Sequence, residues 1–247
     1  MKRGGFTLIE MLVVIAVILL LGAMTVPMVG RALERGKTTQ CLANLRAMSQ
    51  GVGVFLVENQ GQFPPALVSG GGNQKGWDFF ISETGKVEPG WIWQEYGANN
   101  ILQCPSFRGA DNWQEVPYTG YNYNASYLGG MFIELRGQVI RDVPSANIAH
   151  VQHPGRTAMF GDGEYVGGTN KFMRAPLPGP LDADFSGREG GTQGYRHGGH
   201  THVAFVDGRV DRLRPVSPPS GFQGSIGEGT GFLSSDNSLY GAAPNPE

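Results

Sequence analysis

One acid interrupts an N-terminal segment that is otherwise apolar for long enough to cross a membrane. Between Leu8 and Val29 the only ionisable side chain is Glu10. Every residue from Met11 to Leu21 is apolar, and Gly22 to Val29 extend the run with little polarity. Counted from Phe6, about 24 residues are available, and a helix needs roughly 20 to span the hydrocarbon core. Such a run constrains the fold first, because a chain in lipid must satisfy its own backbone polar groups and a lone segment does so only as a helix. A carboxylate there costs about 2.5–3.5 kcal/mol at mid-membrane and less near the interface, so Glu10 calls for a compensating partner. Lys2 and Arg3 precede the run, as in a secretory signal. That signal also needs a small-residue cleavage site after its apolar core, and Gly22-Ala23-Met24 is a poor version of one. A plain anchor has no use for the acid.

The hexapeptide Gly5-Phe6-Thr7-Leu8-Ile9-Glu10, with its basic leader and retained apolar run, resembles the class III signal of type IV pilins and type II secretion pseudopilins. The resemblance implies that a prepilin peptidase cuts after Gly5 and that Phe6 becomes an N-methylated terminus. It also implies that Glu10 neutralises the N-terminal amine of a neighbouring subunit in a filament, and Pro27 matches a position where a helix-bending proline is common. The chemistry agrees with the resemblance. Glu10 lies four residues beyond Phe6, on the same helix face, and a carboxylate is favoured at the positive end of the helix dipole. Arg31, Arg35 and Lys37 follow the span, so the positive-inside count does not settle orientation. By resemblance the leader is cytoplasmic and the bulk lies outside, held by the inner membrane.

Leu42, Leu45, Met48, Val52 and Phe55 continue at helical spacing, giving one apolar stripe. Gly61 and Pro64-Pro65 form a stop signal. The expectation is one helix over residues 6–60, about 80 Å long at 1.5 Å per residue, apolar all round in its first half and amphipathic in its second. Beyond it, 39 glycines, 16 prolines and only 16% charged residues in the chain indicate a turn-rich domain rather than a helical bundle. The fold class is therefore α+β, pilin-like, with a long N-terminal helix on a small antiparallel sheet. Five segments follow: leader 1–5, membrane and assembly half 6–29, amphipathic half 30–60, β-rich head 61–214 and Gly/Pro/Ser-rich tail 215–247.

Within the head, Trp77 to Ile81 reads as a short helix, Tyr121 to Asn124 as part of a strand, and Thr157 to Asp162 as a buried strand ending in a turn. The clearest local signal is Asp207-Gly208 between two strand-like runs, which predicts a type I′ hairpin. A two-residue loop pairs Phe205 with Val210 and Val203 with Arg212, and turns Val203, Phe205 and Val210 toward the long helix. The tail is expected to run over the surface. His197, nine residues, then Asp207-Gly208 resembles the His-x9-Asp-Gly element of a processing-associated subfamily of pilin-like proteins. Cys41 with Asn44-Leu45-Arg46, Gly61 to Pro65, Leu102 to Ser106, Tyr121 to Asn124 and Tyr195 to His197 also match that subfamily. It carries no well-defined functional site.

Candidate chemistry is sparse. Cys41 and Cys104 are the two cysteines; outside the cytoplasm they form either one disulfide or two buried thiols. His197, His200 and His202, with Asp162 and Asp207 as oxygen donors, are the candidates for a zinc or other metal site. The competing reading has His197 bonding a loop carbonyl, the other two histidines facing solvent and Asp207 serving the turn. Trp77, Trp91, Trp93, Trp113, Tyr118, Tyr121, Tyr123 and Tyr127 form either a glycan-stacking face or core. A net charge of −2 with no basic stripe argues against nucleic acid. No catalytic constellation stands out, so neither an enzyme nor a cofactor is expected. The expected partners are the prepilin peptidase, other pilin or pseudopilin subunits and the inner membrane. A tethered binding module that does not polymerise is the alternative.

Overall fold

A computed structural model of the chain describes residues 7–95, 103–108, 120–166, 168 and 170–242. It is an α+β structure dominated by one helix, α1 (Leu8–Glu58). Thr7 caps the helix through its side chain. The far end closes with Gly61 N–H donating to the Leu56 carbonyl at 2.8 Å and with Gln60 and Gly61 at φ +55 and +79, a Schellman stop. The helix is thus slightly shorter than its apolar pattern at both ends, because caps rather than hydrophobicity set its limits.

Among the described residues the apolar window in the first half of α1 buries no residue. The second half buries Cys41, Asn44, Leu45, Met48, Val52 and Phe55. The seam is the expected stripe, except that Leu42 is half-buried and Cys41 lies on the core line instead.

Among the described residues the head holds two larger sheets and a two-stranded one, where a single small sheet was expected. The six-stranded sheet runs β4 (Val87–Pro89), β3 (Phe79–Ile81), β2 (Asn73–Gly76), β1 (Leu67–Gly70), β6 (Met131–Leu135), β7 (Gln138–Val143). The five-stranded sheet runs β12 (Val210–Leu213), β11 (Thr201–Phe205), β8 (Ala158–Gly161), β5 (Asn122–Asn124), β9 (Phe172–Met173). Strands β10 (Gln193–Gly194) and β13 (Thr230–Gly231) pair separately. Pairing is antiparallel except for β1 with β6 and β5 with β9. A short helix, α2 (Trp91–Glu95), packs beside α1.

The five-stranded sheet is covered on both faces. One face, with Tyr123, Phe160 and Ala204, joins Leu45, Met48 and Val52 of α1 and Trp77 and Phe79. The other face, with Ala158, Val203 and Phe205, lies under Phe232, Leu233 and Tyr240. Three expectations are corrected here. Trp77 to Ile81 is not helical, since β3 pairs with β2 and β4. The β11–β12 register is shifted by one residue, with Ala204 opposite Val210 and His202 opposite Arg212. Phe205 N–H donates to the Arg209 carbonyl, and Gly208 N–H to that of Phe205. The loop therefore has three residues, with Gly208 alone at positive φ, +84, and it closes as a turn with a glycine bulge rather than a type I′ turn. The slip reverses the faces of β11: Ala204 looks toward α1 whereas Val203 and Phe205 look away, and Val210 faces α1 as expected. Finally, residues 220–230 of the tail are largely exposed as expected, but residues 231–240 turn inward. Phe232 and Tyr240 are fully buried because the second sheet face is apolar and needs a cover.

Of the aromatic set, Trp77, Trp93, Tyr121 and Tyr123 are buried in the core, and Trp91 and Tyr127 are half-buried. Trp113 and Tyr118 lie outside the described residues.

Candidate functional site

At the N-terminus, Gly5 and Phe6 lie outside the described residues. Glu10 is held in a capping box. Its Oε2 accepts from the Thr7 backbone N–H and from the Thr7 hydroxyl, each at 2.7 Å, while Thr7 Oγ1 accepts from Glu10 N–H at 3.3 Å. The Thr7-x-x-Glu10 spacing is itself a helix-start signal, so Glu10 has a local role in addition to the one its pairing with an amine would give it. Beyond it, the large apolar side chains from Met11 to Val26, with Met28 and Val29, are exposed, and the Thr25 hydroxyl is satisfied by the Gly22 carbonyl at 3.1 Å. The first half of α1 is thus an apolar rod with one carboxylate fixed in its first turn.

A second site lies where α1 meets the head. Cys41 projects from α1. Cys104 sits in a turn closed by Phe107 N–H on its carbonyl at 3.0 Å. Asp162 directly follows β8. His197 precedes a tight reversal in which Gly198 and Gly199 both take positive φ, +63 and +77, a conformation glycine adopts without strain. One donor atom from each of these four buried residues lies within 4.8 Å of every other. The Cys41 thiol donates to Asp162 Oδ1 at 3.2 Å, His197 Nε2 lies 3.5 Å from both Cys104 Sγ and Asp162 Oδ2, and His202 N–H donates to Asp162 Oδ2 at 2.8 Å. Arg196 flanks the group, with Nε 3.4 Å from Cys104 Sγ and a terminal nitrogen 3.5 Å from Asp162 Oδ1.

The charges are mutually dependent. Burial pushes the Asp162 carboxyl up, but Arg196, His197 and His202 outweigh it and hold the group well below the usual carboxylate range. Burial likewise opposes a charged His197, yet its hydrogen bonds to Asp162 and Cys104 raise it to about 9. The hydrogen bond from Cys41, with His197 and Arg196 alongside, draws the Cys104 thiol below its ordinary value against the push of burial. Cys41 is raised by the same hydrogen bond and by burial. The two sulfurs are thus shifted in opposite directions, and they are unbridged.

The three histidines are not brought together. His197 and His202 are buried and stack at 4.3 Å between ring centres. His200 sits in the glycine reversal, with Nδ1 2.9 Å from Arg212 and from the Gly198 carbonyl. Asp207 lies in the hairpin turn, accepting from Arg209 N–H at 3.0 Å. The His-x9-Asp-Gly spacing thus ties the two ends of β11 together: His197 before it at the cluster and Asp207-Gly208 after it at the turn. The sequence offers the cysteines only as a pair and the histidines only as a triad. No local spacing links Cys41, Cys104, Asp162 and His197, which come from four separate segments.

A family model described as the prokaryotic N-terminal methylation motif matches residues 1–26, which include Gly5, Phe6 and Glu10. No curated protein and no solved structure matches the chain. The motif and the exposed apolar helix support a prepilin-like protein held in a membrane by a single pass. The match speaks for the anchor and is silent on the head.

Proposed function

We propose that this chain is a structural subunit, pilin or pseudopilin, of a type IV pilus-like or type II secretion-like filament. In this reading the prepilin peptidase cuts after Gly5, Phe6 is N-methylated, and residues 6–29 leave the inner membrane to pack among neighbouring copies, with the head outside the cytoplasm. The observation that carries it is Glu10: a single carboxylate fixed in the first turn of an otherwise apolar exposed helix. In lipid that acid is costly. A neighbour's N-terminal amine would offset its charge, which the local cap with Thr7 leaves in place. The methylation-motif match over the same residues supports the reading. The His197-x9-Asp207-Gly208 element places the chain, in this proposal, within the processing-associated subfamily.

The test is the intact mass of the membrane-purified chain. The wild-type chain is expected to begin at N-methyl-Phe6, and a Gly5→Trp variant to keep its leader. Normal leader removal in the variant would sink the processing role. Glu10→Ala should still insert, yet fail to cross-link with neighbouring subunits in native membranes. Undiminished cross-linking would rule out the pairing role and favour a tethered module.

A further inference from the structure

We propose that Cys41, Cys104, Asp162 and His197 form a closed, tetrahedral zinc site that fastens α1 to the head. Zinc binds sulfur at about 2.3 Å and nitrogen or oxygen at about 2.0–2.2 Å, which separates tetrahedral ligand atoms by roughly 3.3–3.8 Å. The contacts here, 3.2 Å for Cys41 to Asp162 and 3.5 Å for His197 to Cys104 and to Asp162, already have that scale. All four side chains are buried, so the site offers four protein donors and no open position, the form of a structural rather than a catalytic centre. Two thiolates and one carboxylate against a dication leave one negative charge, beside the Arg196 guanidinium that also pairs with Glu164 at 2.9 Å. His202 stacks on His197 and its Nδ1 lies 3.5 Å from Asp162 Oδ2, so this second imidazole borders the four ligands without being one of them.

The donor set selects the metal. Two sulfurs disfavour calcium and magnesium, while the hard carboxylate disfavours a copper(I) site; mixed sulfur, nitrogen and oxygen in a tetrahedron suit zinc. A groove between α1 and the hairpin, lined by Arg35, Thr39, Arg212 and His197 itself, provides a route inward. The four ligands come from α1, the loop holding Cys104, the end of β8 and the turn before β11. Bound metal would therefore lock the angle at which the rod leaves the head. It would also keep the two thiols from oxidising to one another.

The experiment uses the full chain in detergent, purified under reducing conditions from zinc-supplied cells. One zinc per chain should survive dialysis, and exchange for cobalt(II) should give thiolate-to-cobalt charge-transfer bands and the visible bands of tetrahedral cobalt. Cys104→Ser and Asp162→Asn should each lose the zinc or alter those bands, while His200→Ala should keep both unchanged. The cobalt spectrum of the wild-type chain reads the ligand set even if a variant does not fold. Three results would overturn the site: no zinc retained after incubation with Zn²⁺, a Cys41–Cys104 disulfide in the peptide map of the folded chain, or zinc kept at full stoichiometry by the Cys41→Ser/Cys104→Ser double variant. None of these readouts depends on processing at Gly5.

Discussion

Asn124 shows how a single buried polar residue can hold three segments. Its Nδ2 donates to the Ala158 carbonyl at 2.7 Å and the Tyr240 carbonyl at 2.8 Å, and its Oδ1 accepts from the Ser126 and Tyr127 backbone N–H groups at 3.2 and 3.0 Å. Every polar capacity of the amide is used, in a site with no exposure. Neighbouring residues alternate around it. Tyr121 and Tyr123 join the helix-side core, where their hydroxyls meet Asn44 and the Pro64 carbonyl. The Tyr-Asn-Tyr-Asn pattern is therefore a strand whose two faces differ, one aromatic and one amide. Removing the amide strands several buried backbone groups, each costing about 1–3 kcal/mol. Asn124→Ala should lower unfolding stability by about 3 kcal/mol in urea titration. A loss under about 1 kcal/mol would mean that water replaces the amide without penalty.

At the scale of elements, the β11–β12 hairpin teaches the most. Asp-Gly correctly marks a reversal, but the same dipeptide serves a two-residue and a three-residue loop. The choice is made by what the strands have to face. With the observed register, small Ala204 meets α1 while Phe205 enters the second cluster. The expected register would have put Phe205 against the helix. Gly208 sits at φ +84 with no atom within 4 Å of where a Cβ would stand, which isolates backbone strain from packing. Gly208→Ala should cost about 1–2 kcal/mol, the penalty of a left-handed conformation for an L-residue. A neutral change in thermal or denaturant unfolding would show that the loop relaxes to another turn. The helix itself is legible from the sequence because its two signals, composition and caps, are local. Cys41 stands apart from the apolar stripe in the sequence because a cysteine can be either core or chemistry, and here its sulfur faces both the core and Asp162.

For the molecule as a whole, the tail completes the fold. Residues 230–240 bring β13, Phe232, Leu233 and Tyr240 over the sheet face that α1 does not cover. The Tyr240 hydroxyl oxygen also accepts from the Leu233 backbone N–H at 2.9 Å, tying the cover to itself. Phe232→Ala should cost about 3–5 kcal/mol in denaturant unfolding, the range for deleting a buried aromatic side chain. A chain truncated after Glu228 should expose Val203 and Phe205 and bind a hydrophobic dye. If that truncated head stays soluble and melts as sharply as the full chain, the cover is dispensable. The front of α1 is left bare, while its rear and the tail sandwich one sheet between them.

The amino-acid sequence by itself determined the membrane-length helix, the acid near its start, its amphipathic rear and the turn-rich α+β head. Each of these rests on periodicity, composition or a cap, which act over a few residues and need no partner. The tertiary structure alone decided which face of β11 meets the helix, that part of the tail is core, and that two cysteines, an aspartate and a histidine share one pocket. Those outcomes depend on contacts between segments far apart in the chain, where burial and charge pairing are settled only when all the surfaces close together.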